Sequence, residues 1–422
     1  MIFEKTIRKL TDNAYVFSML ARIIGVMTGL VHSILYTRYL GAELRGEASV
    51  ILNYAGLISL VLCFGVYQAY PFFKKKTGQD IYREYINYVF GLFFLYIIIS
   101  AILIFLLDLP TDLKVVTLLI PLLMGIKQLN YVVLIENPKL RNTASIRLDL
   151  FDIAFLVILM IFTTANYFLC ITFLIVKHLV YFIIAVSNLK IKVKTIRPNL
   201  KGISPYIKYG IVPMVTVIFM EINYKVDVLI LQYFNIDMAQ IGIYSLGVLL
   251  ANKLWMIPDA LKDILLSKLT KGRTAEEVVK ISRISFFMML LFILAAVFFG
   301  KPVICLLYGA EFSGAYFVTM ILLAGVLGMV FYKMVYSYNV VNGHKNVNLV
   351  LLGIAAILNV SLNIILIPSY GIMGAAAASF ASYIVCGISF LVYFCLKTRT
   401  PLLDMLIIKR KDIKMIFNFI KK

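Results

Sequence analysis

An all-α, polytopic membrane protein is the fold class this 422-residue sequence predicts, and three observations carry the prediction. Hydrophobic residues make up 62% of the chain and charged residues 15%, against roughly 45–50% and about a quarter in soluble domains. The apolar residues lie in about twelve runs of the roughly 20 residues that a helix needs to cross a bilayer. The 41 lysines and arginines then sort unevenly between alternate joints. A β-barrel is excluded, because its strands alternate in hydrophobicity over only about 10 residues.

The predicted spans are 14–37, 48–73, 85–107, 114–137, 148–164, 167–189, 206–232, 240–266, 284–307, 314–341, 347–368 and 374–396. Before the first, "MIFEKTIRKLTDNAY" is charged through Asp12 and has no small-residue cleavage site, so that span is expected to be retained. "GVMTG" at 25–29 offers a G-x-x-x-G close-packing face within it. Pro213 and Pro258 fall inside the seventh and eighth spans, where they mark bends. The longest joints, about 190–205 and 267–283, are basic and too short to hold a soluble catalytic domain. The end of the chain, "TPLLDMLIIKRKDIKMIFNFIKK", alternates apolar and basic residues and reads as an amphipathic helix on an anionic inner leaflet.

With a cytoplasmic N-terminus, 31 of the 41 cations fall on inside joints or the tail, and only Arg38, Arg45 and Lys114 fall outside. That bias is the positive-inside pattern of an even number of spans with both ends in the cytoplasm. It also accounts for most of the net charge of +20, so nucleic acid is not expected as a partner. The five cysteines sit in apolar runs without paired spacing and read as packing residues, and the three histidines form no ligand set. Neither a metal nor another cofactor is expected.

Seven cations remain inside predicted spans: Arg22, Lys127, Lys177, Lys225, Lys253, Lys301 and Lys333. Each would cost about 2.5–3.5 kcal/mol at the centre of a lipid-facing helix. Lys301 can snorkel to the outer interface; the others are expected to face a wet cavity. Acids at comparable depth are fewer: Glu221 and Asp227, with Glu136, Asp152 and Asp259 nearer cytoplasmic ends. Such a cavity is net cationic and favours an anionic substrate, such as a phosphate or pyrophosphate head group. In "MEINYKVDVLIL", Glu221 and Lys225 are four apart and share a helix face, whereas Asp227 shares its side with Asn223. The two acids therefore have different expected roles, with Lys127, Lys177 and Lys253 expected to be unpaired.

"YTRYLGAELRGEASV" at 36–50 resembles the first-to-second helix junction of polysaccharide-exporting flippases. The run 209–247, ending in "IGIYSLG", resembles the start of their second half, and "LLYGAEFSGAYFVTMILLAG" their ninth-to-tenth helix region. "NVSLNIILIPSYGIMGAAAASFASYIV" is the most specific match, with Asn359, Asn363, Pro368 and a tight turn at Tyr370-Gly371 between two spans. Nearly the whole chain resembles the Wzx-type O-antigen or capsule repeat-unit flippases, a polysaccharide transporter branch of the multidrug/oligosaccharidyl-lipid/polysaccharide exporter superfamily.

The resemblance implies an N-terminal six-helix bundle at 1–189, a basic cytoplasmic linker at 190–205, a C-terminal six-helix bundle at 206–396 and a basic amphipathic tail at 397–422. The bundles would surround a central cationic cavity. It implies a multi-pass protein of the bacterial inner membrane that flips an undecaprenyl-pyrophosphate-linked oligosaccharide to the outer leaflet by alternating access. A polysaccharide polymerase and a chain-length regulator are the implied protein partners. The expected substrate-binding cations are Arg22, Lys127, Lys177, Lys225, Lys253 and Lys333, and Glu221 or Asp227 the coupling acid. Flippases for lipid II, teichoic acid or exopolysaccharide precursors are the alternative. Drug exporters of the superfamily tend to have acidic cavities, which the cation excess disfavours. No enzyme is expected, since no loop carries a catalytic cluster; with no Gly-rich nucleotide loop in the sequence, energy coupling is expected to come from an ion gradient or the substrate gradient.

Overall fold

The computed structural model describes the backbone of residues 14–78, 80–190, 192–269 and 275–412, and no strand occurs among them. The helices are α1 (Ala14–Leu62), α2 (Val66–Thr77), α3 (Tyr82–Leu106), α4 (Thr111–Glu136), α5 (Pro138–Phe162), α6 (Tyr167–Ser187), α7 (Ser204–Tyr233), α8 (Met238–Leu254), α9 (Met256–Leu269), α10 (Ala275–Tyr308), α11 (Ala315–Val341), α12 (Lys345–Thr398) and α13 (Leu402–Leu406). Among the described residues, eight stretches are long and apolar enough to cross a membrane. Two of the eight contain a reversal, at Gly41 in α1 and at Gly371 in α12, and so count as helix pairs. With α5 and α7, which have spanning length but carry more charge, the tally is about twelve crossings.

Both reversals depend on glycine. Gly41 has φ 70° and ψ −177°, and Gly371 has φ 53° and ψ −132°, a backbone region that a Cβ strains. The chain thus turns within one residue at Tyr370-Gly371, where the sequence places a tight turn. At 38–47 the expected exposed joint is replaced by helix on both sides of Gly41. Arg45 is consequently buried, its Nη1 donating to Thr37 Oγ1 at 2.6 Å, instead of standing in an outer loop. Side-chain caps start α5 and α6: Asn137 accepts from the Leu140 N–H at 3.1 Å and Asn166 from the Leu169 N–H at 2.9 Å.

The helix exteriors are apolar along their length, with Phe105, Phe162, Phe168, Phe298 and Leu306 all largely exposed. A surface of this kind is stable only in hydrocarbon, where every backbone polar group must be satisfied within its own helix. The protein is a multi-pass membrane protein.

The chain forms two compact units, Met1–Ile218 and Phe219–Lys422, divided within α7 rather than at the joint 190–205. In the first unit Phe72 stacks on Tyr209 at 3.9 Å and Phe73 packs on Tyr206 at 4.6 Å, which fixes the first turns of α7 there. The basic joint is likewise strapped to α3: the Arg197 N–H donates to Asn87 Oδ1 at 2.9 Å, and the Lys190 N–H to the Tyr82 hydroxyl at 3.1 Å. Tyr70, Tyr85, Ile86, Met124 and Leu129 form the core beside this strap, and Ile51, Leu119, Leu156 and Leu174 a second core.

The second unit is organised around α11, whose Val326, Met329, Val330 and Met334 are fully buried. Lipid tails are as apolar as leucine, so close packing must supply the association of helices. Here α11 and α12 meet backbone to backbone: a Cβ on Gly387 would lie 2.1 Å from the Gly328 carbonyl oxygen. At Gly25 of "GVMTG", by contrast, the nearest atom to a Cβ is Asp149 Oδ2 at 3.9 Å, so the expected close packing does not occur at that glycine.

The chain after α12 turns at Arg399 and Pro401 into the five residues of α13, and breaks again at Ile407 before residues 410–412. The expected single amphipathic helix is therefore not formed up to Asp412, because Asp412 turns inward to the Arg283 guanidinium, at 2.5 Å to Nε and 3.1 Å to Nη2. Residues 413–422 lie outside the described residues. Burial alone would raise the Asp412 carboxyl, but the Arg283 hydrogen bonds and the Lys409 N–H hold it below the usual aspartate value. The stabilisation from this pair is therefore complete at neutral pH and is lost only as pH falls below about 4.

Replacing Gly387 by Val should destabilise the second unit by on the order of 3 kcal/mol and abolish monodisperse protein in detergent. Gly25→Ala should leave thermal stability within experimental error. Fluorescence size-exclusion chromatography over a temperature series reads both.

Candidate functional site

Polar side chains within the spans collect in separate centres, each inside one unit. In the first unit, α1, α5 and α6 bring together His32, Asp152, Lys177 and Tyr181. Asp152 is 2% exposed, and its Oδ2 receives the Lys177 ammonium at 2.8 Å and the Tyr181 hydroxyl at 2.5 Å. His32 Nε2 lies 3.7 Å from the same oxygen and 3.3 Å from Lys177 Nζ. Lys177 is also flanked by the Phe173 and Tyr181 rings, at 5.6 and 5.5 Å. It is thus an ion-paired residue, which corrects the expectation of an unpaired lysine. One α-helical turn from Asp152, Asp149 accepts from Thr28 Oγ1 at 2.8 Å.

Lys127 stands apart from this centre, on α4, with its Nζ 5.7 Å from the centroid of Tyr67, whose ring meets Tyr131 edge-on. Glu136, at the C-terminal end of α4, gathers Lys74, Lys190 at 2.9 Å and the Tyr70 hydroxyl at 2.6 Å. A cleft of about 340 Å³ opens there, lined by Asp80, Tyr82, Arg83, Glu136, Lys190 and Thr195. The side chain of Arg22 lies outside the described residues.

In the second unit the run Met220–Leu231 divides as its spacing predicts. Glu221 and Lys225 pair at 2.7 Å and are 21% and 42% exposed, a polar couple that hydrocarbon could not solvate. Asp227 faces the opposite way and is 2% exposed. Its carboxylate accepts from Tyr244 Oη at 2.6 Å, Asn363 Nδ2 at 2.8 Å and Ser379 Oγ at 2.5 Å. Asn359 donates to the Ser379 and Ser382 hydroxyls, and Ser382 to Asn223 Oδ1, so the shell around Asp227 reaches α7, α8 and both limbs of α12.

Lys333 on α11 is paired as well. Its ammonium is 2.6 Å from Asp259 Oδ1 and 4.0 Å from the centroid of Trp255, the one tryptophan of the chain. Lys253 is half-buried in the last turn of α8. Lys301 is exposed at the α10 surface, as the snorkelling reading expects, with the Phe317 ring 6.0 Å away. Lys177 belongs to the centre of the first unit, and within the second unit Lys225, Lys333 and Asp227 each have their own partners. The residues that sequence spacing missed are the partners contributed by other helices, namely Tyr181, Tyr244, Ser379 and the Asp259–Lys333 pair. Asn359 and Asn363, four apart in an apolar run, were the available signal for the Asp227 shell.

Solved structures share this arrangement of helices. A lipid II flippase, MurJ, in an inward closed conformation, aligns with 95% of this chain and 92% of its own, at 15% identity and a TM-score of 0.72. An inward-facing multidrug resistance MATE family transporter of the MOP superfamily aligns over 90% and 98%, at 13% identity and a TM-score of 0.65. The chain has the fold of the MOP-superfamily transporters. The Vibrio cholerae MATE transporter VcmN is similar as well, at 14% identity over 94% of this chain and 99% of that one, with a TM-score of 0.58. No protein-family model matches the sequence, and no curated protein matches it.

Removing one member of the Asp152–Lys177 pair leaves the other charge buried, which costs about 3–5 kcal/mol, whereas removing both is far less damaging. Lys177→Met and Asp152→Asn should each lower the melting temperature, and the double variant should recover most of the loss. A double-mutant cycle on purified protein measures the coupling.

Proposed function

We propose that the protein flips an undecaprenyl-pyrophosphate-linked oligosaccharide, the repeat unit of an O-antigen or capsule, from the cytoplasmic to the outer leaflet of the bacterial inner membrane. The observation that carries the reading is the Glu221–Lys225 pair: partly exposed at membrane depth, it needs water or a polar head group around it. A pyrophosphate can replace Glu221 as the partner of Lys225 without leaving any ion in hydrocarbon. Glu221, released by that exchange, is then free to take a proton. Lys127 and Lys253, with the side chain of Arg22, supply further positive potential along the route, while the prenyl chain stays in lipid.

Likeness to a lipid II flippase supports a lipid-linked cargo. The MATE neighbours support the alternating-access cycle and make multidrug export the second reading, one that the cation excess in the spans disfavours. Asp227 is the second coupling candidate: a buried carboxylate with a hydroxyl- and amide-lined shell from four helical limbs can exchange a proton or small cation as those limbs shift. At the outer leaflet the cargo would pass to a polysaccharide polymerase working with a chain-length regulator.

In proteoliposomes loaded with a fluorescent undecaprenyl-pyrophosphate oligosaccharide, the wild type should move the lipid between leaflets. Lys127→Ala, Lys225→Ala and Lys253→Ala should each slow it about tenfold or more, the loss of one charge-assisted contact, and Lys301→Ala should not. Asp227→Asn should flip without responding to an imposed ion gradient. Wild-type rates from all three lysine variants would refute the cationic route, and transport of a cationic drug in place of the lipid would favour the second reading.

A further inference from the structure

The segment after α12 is held in a fixed pose by buried contacts, and that pose displays a surface of its own. Arg283, at the predicted cytoplasmic edge of α10, is buried, and it binds Asp412 through Nε and Nη2 and the Asp404 carbonyl through Nη1 at 3.3 Å. Asp412 and Met405 are both buried, and the Lys409 N–H closes back on the Asp412 carboxylate at 3.0 Å. With Arg283, Met405 and Asp412 turned inward, Leu402, Leu403 and Ile407 are left exposed, as are Arg410, Lys411 and Lys409, whose ammonium pairs with the half-buried Asp404 at 2.7 Å. Three apolar side chains beside three consecutive cations match an interface with hydrocarbon on one side and phosphate on the other. Arg283 in the clamp lies at the depth where the positive-inside pattern puts the inner head groups.

We propose that residues 402–412 are a docked membrane-surface element that binds anionic phospholipid through Lys409, Arg410 and Lys411, with Arg283 and Asp412 as positioning residues. Leu402, Leu403 and Ile407 enter the edge of the acyl region, and the three cations meet lipid phosphates. Docking distinguishes this element from a loose basic tail: the clamp anchors the segment that carries the three cations, so lipid binding and clamp integrity depend on each other. The surface is independent of the cargo route and of the Glu221–Lys225 exchange.

Hydrogen exchange of the full-length protein in nanodiscs of phosphatidylcholine, with and without phosphatidylglycerol, tests this. Amides of 403–412 should exchange about tenfold more slowly when phosphatidylglycerol is present, since each cation near an anionic surface contributes to the attraction. Combined Lys409→Gln, Arg410→Gln and Lys411→Gln should remove that lipid dependence and keep the protection seen in phosphatidylcholine alone. Arg283→Gln should lose both, while α11 peptides stay protected and certify the fold. Equal exchange in both lipids for the wild type would overturn the proposal. So would full phosphatidylglycerol-dependent protection in Arg283→Gln, which would describe an undocked basic tail.

Discussion

The cost of a bare charge in hydrocarbon organises this protein. Each cation at membrane depth whose surroundings are defined has been given company: Lys177 has Asp152 and two aromatic rings, Lys225 has Glu221, Lys333 has Asp259 and Trp255, and Lys127 has the face of Tyr67. Pairing lets the chain keep charges that would otherwise cost several kcal/mol apiece. It also makes each pair a place where a competing anion changes the balance. An anion that displaces a carboxylate from its lysine restores neutrality only if the freed acid takes up a proton or moves to water, and that is the elementary step an ion-coupled carrier needs.

Packing and charge divide the work. Where charges are absent, backbones approach through glycine, as at Gly328 with Gly387 and Gly65 with Gly210, and single-residue reversals at Gly41 and Gly371 replace loops. Lys177, Lys333 and Asp227 are held by side chains from other helices, so a shift of one helix against another is felt directly at those contacts, whereas Glu221 and Lys225 pair within α7. Asp227 is the clearest case: its three donors come from α8 and the two limbs of α12, so it cannot keep all three if those limbs separate. A buried network of this kind is satisfied in one arrangement of helices and disrupted in others.

The crossings, the Glu221–Lys225 pair and the separation of Asp227 onto the side of Asn223 were legible in the sequence from the length of apolar runs and from spacing within one helix, and the reversal at Tyr370-Gly371 from the resemblance of its stretch to a known family. What spacing cannot report is which helices become neighbours. Lys177 looked unpaired because Asp152 sits on another helix, and Arg45 looked like a loop residue because its neighbours are polar, although the backbone around Gly41 remains helical. The backbone contact of Gly328 with Gly387 was hidden for the same reason, since it joins residues in two helices, whereas "GVMTG" advertised a contact that Gly25 does not make. The tail carried an amphipathic pattern, but the pattern did not show that Asp412 would turn inward to Arg283.

The central claim is that cations in the spans serve an anionic lipid head group through a water-accessible route. Its most direct measurement is the reactivity of cysteines placed at 127, 225 and 253, in a background without the native cysteines, toward a membrane-impermeant thiol reagent. Labelling is expected at all three positions, with slower labelling when a water-soluble pyrophosphate-linked short-chain isoprenoid is added. Cysteines that react only with lipid-soluble reagents, or whose labelling ignores the pyrophosphate, would contradict it.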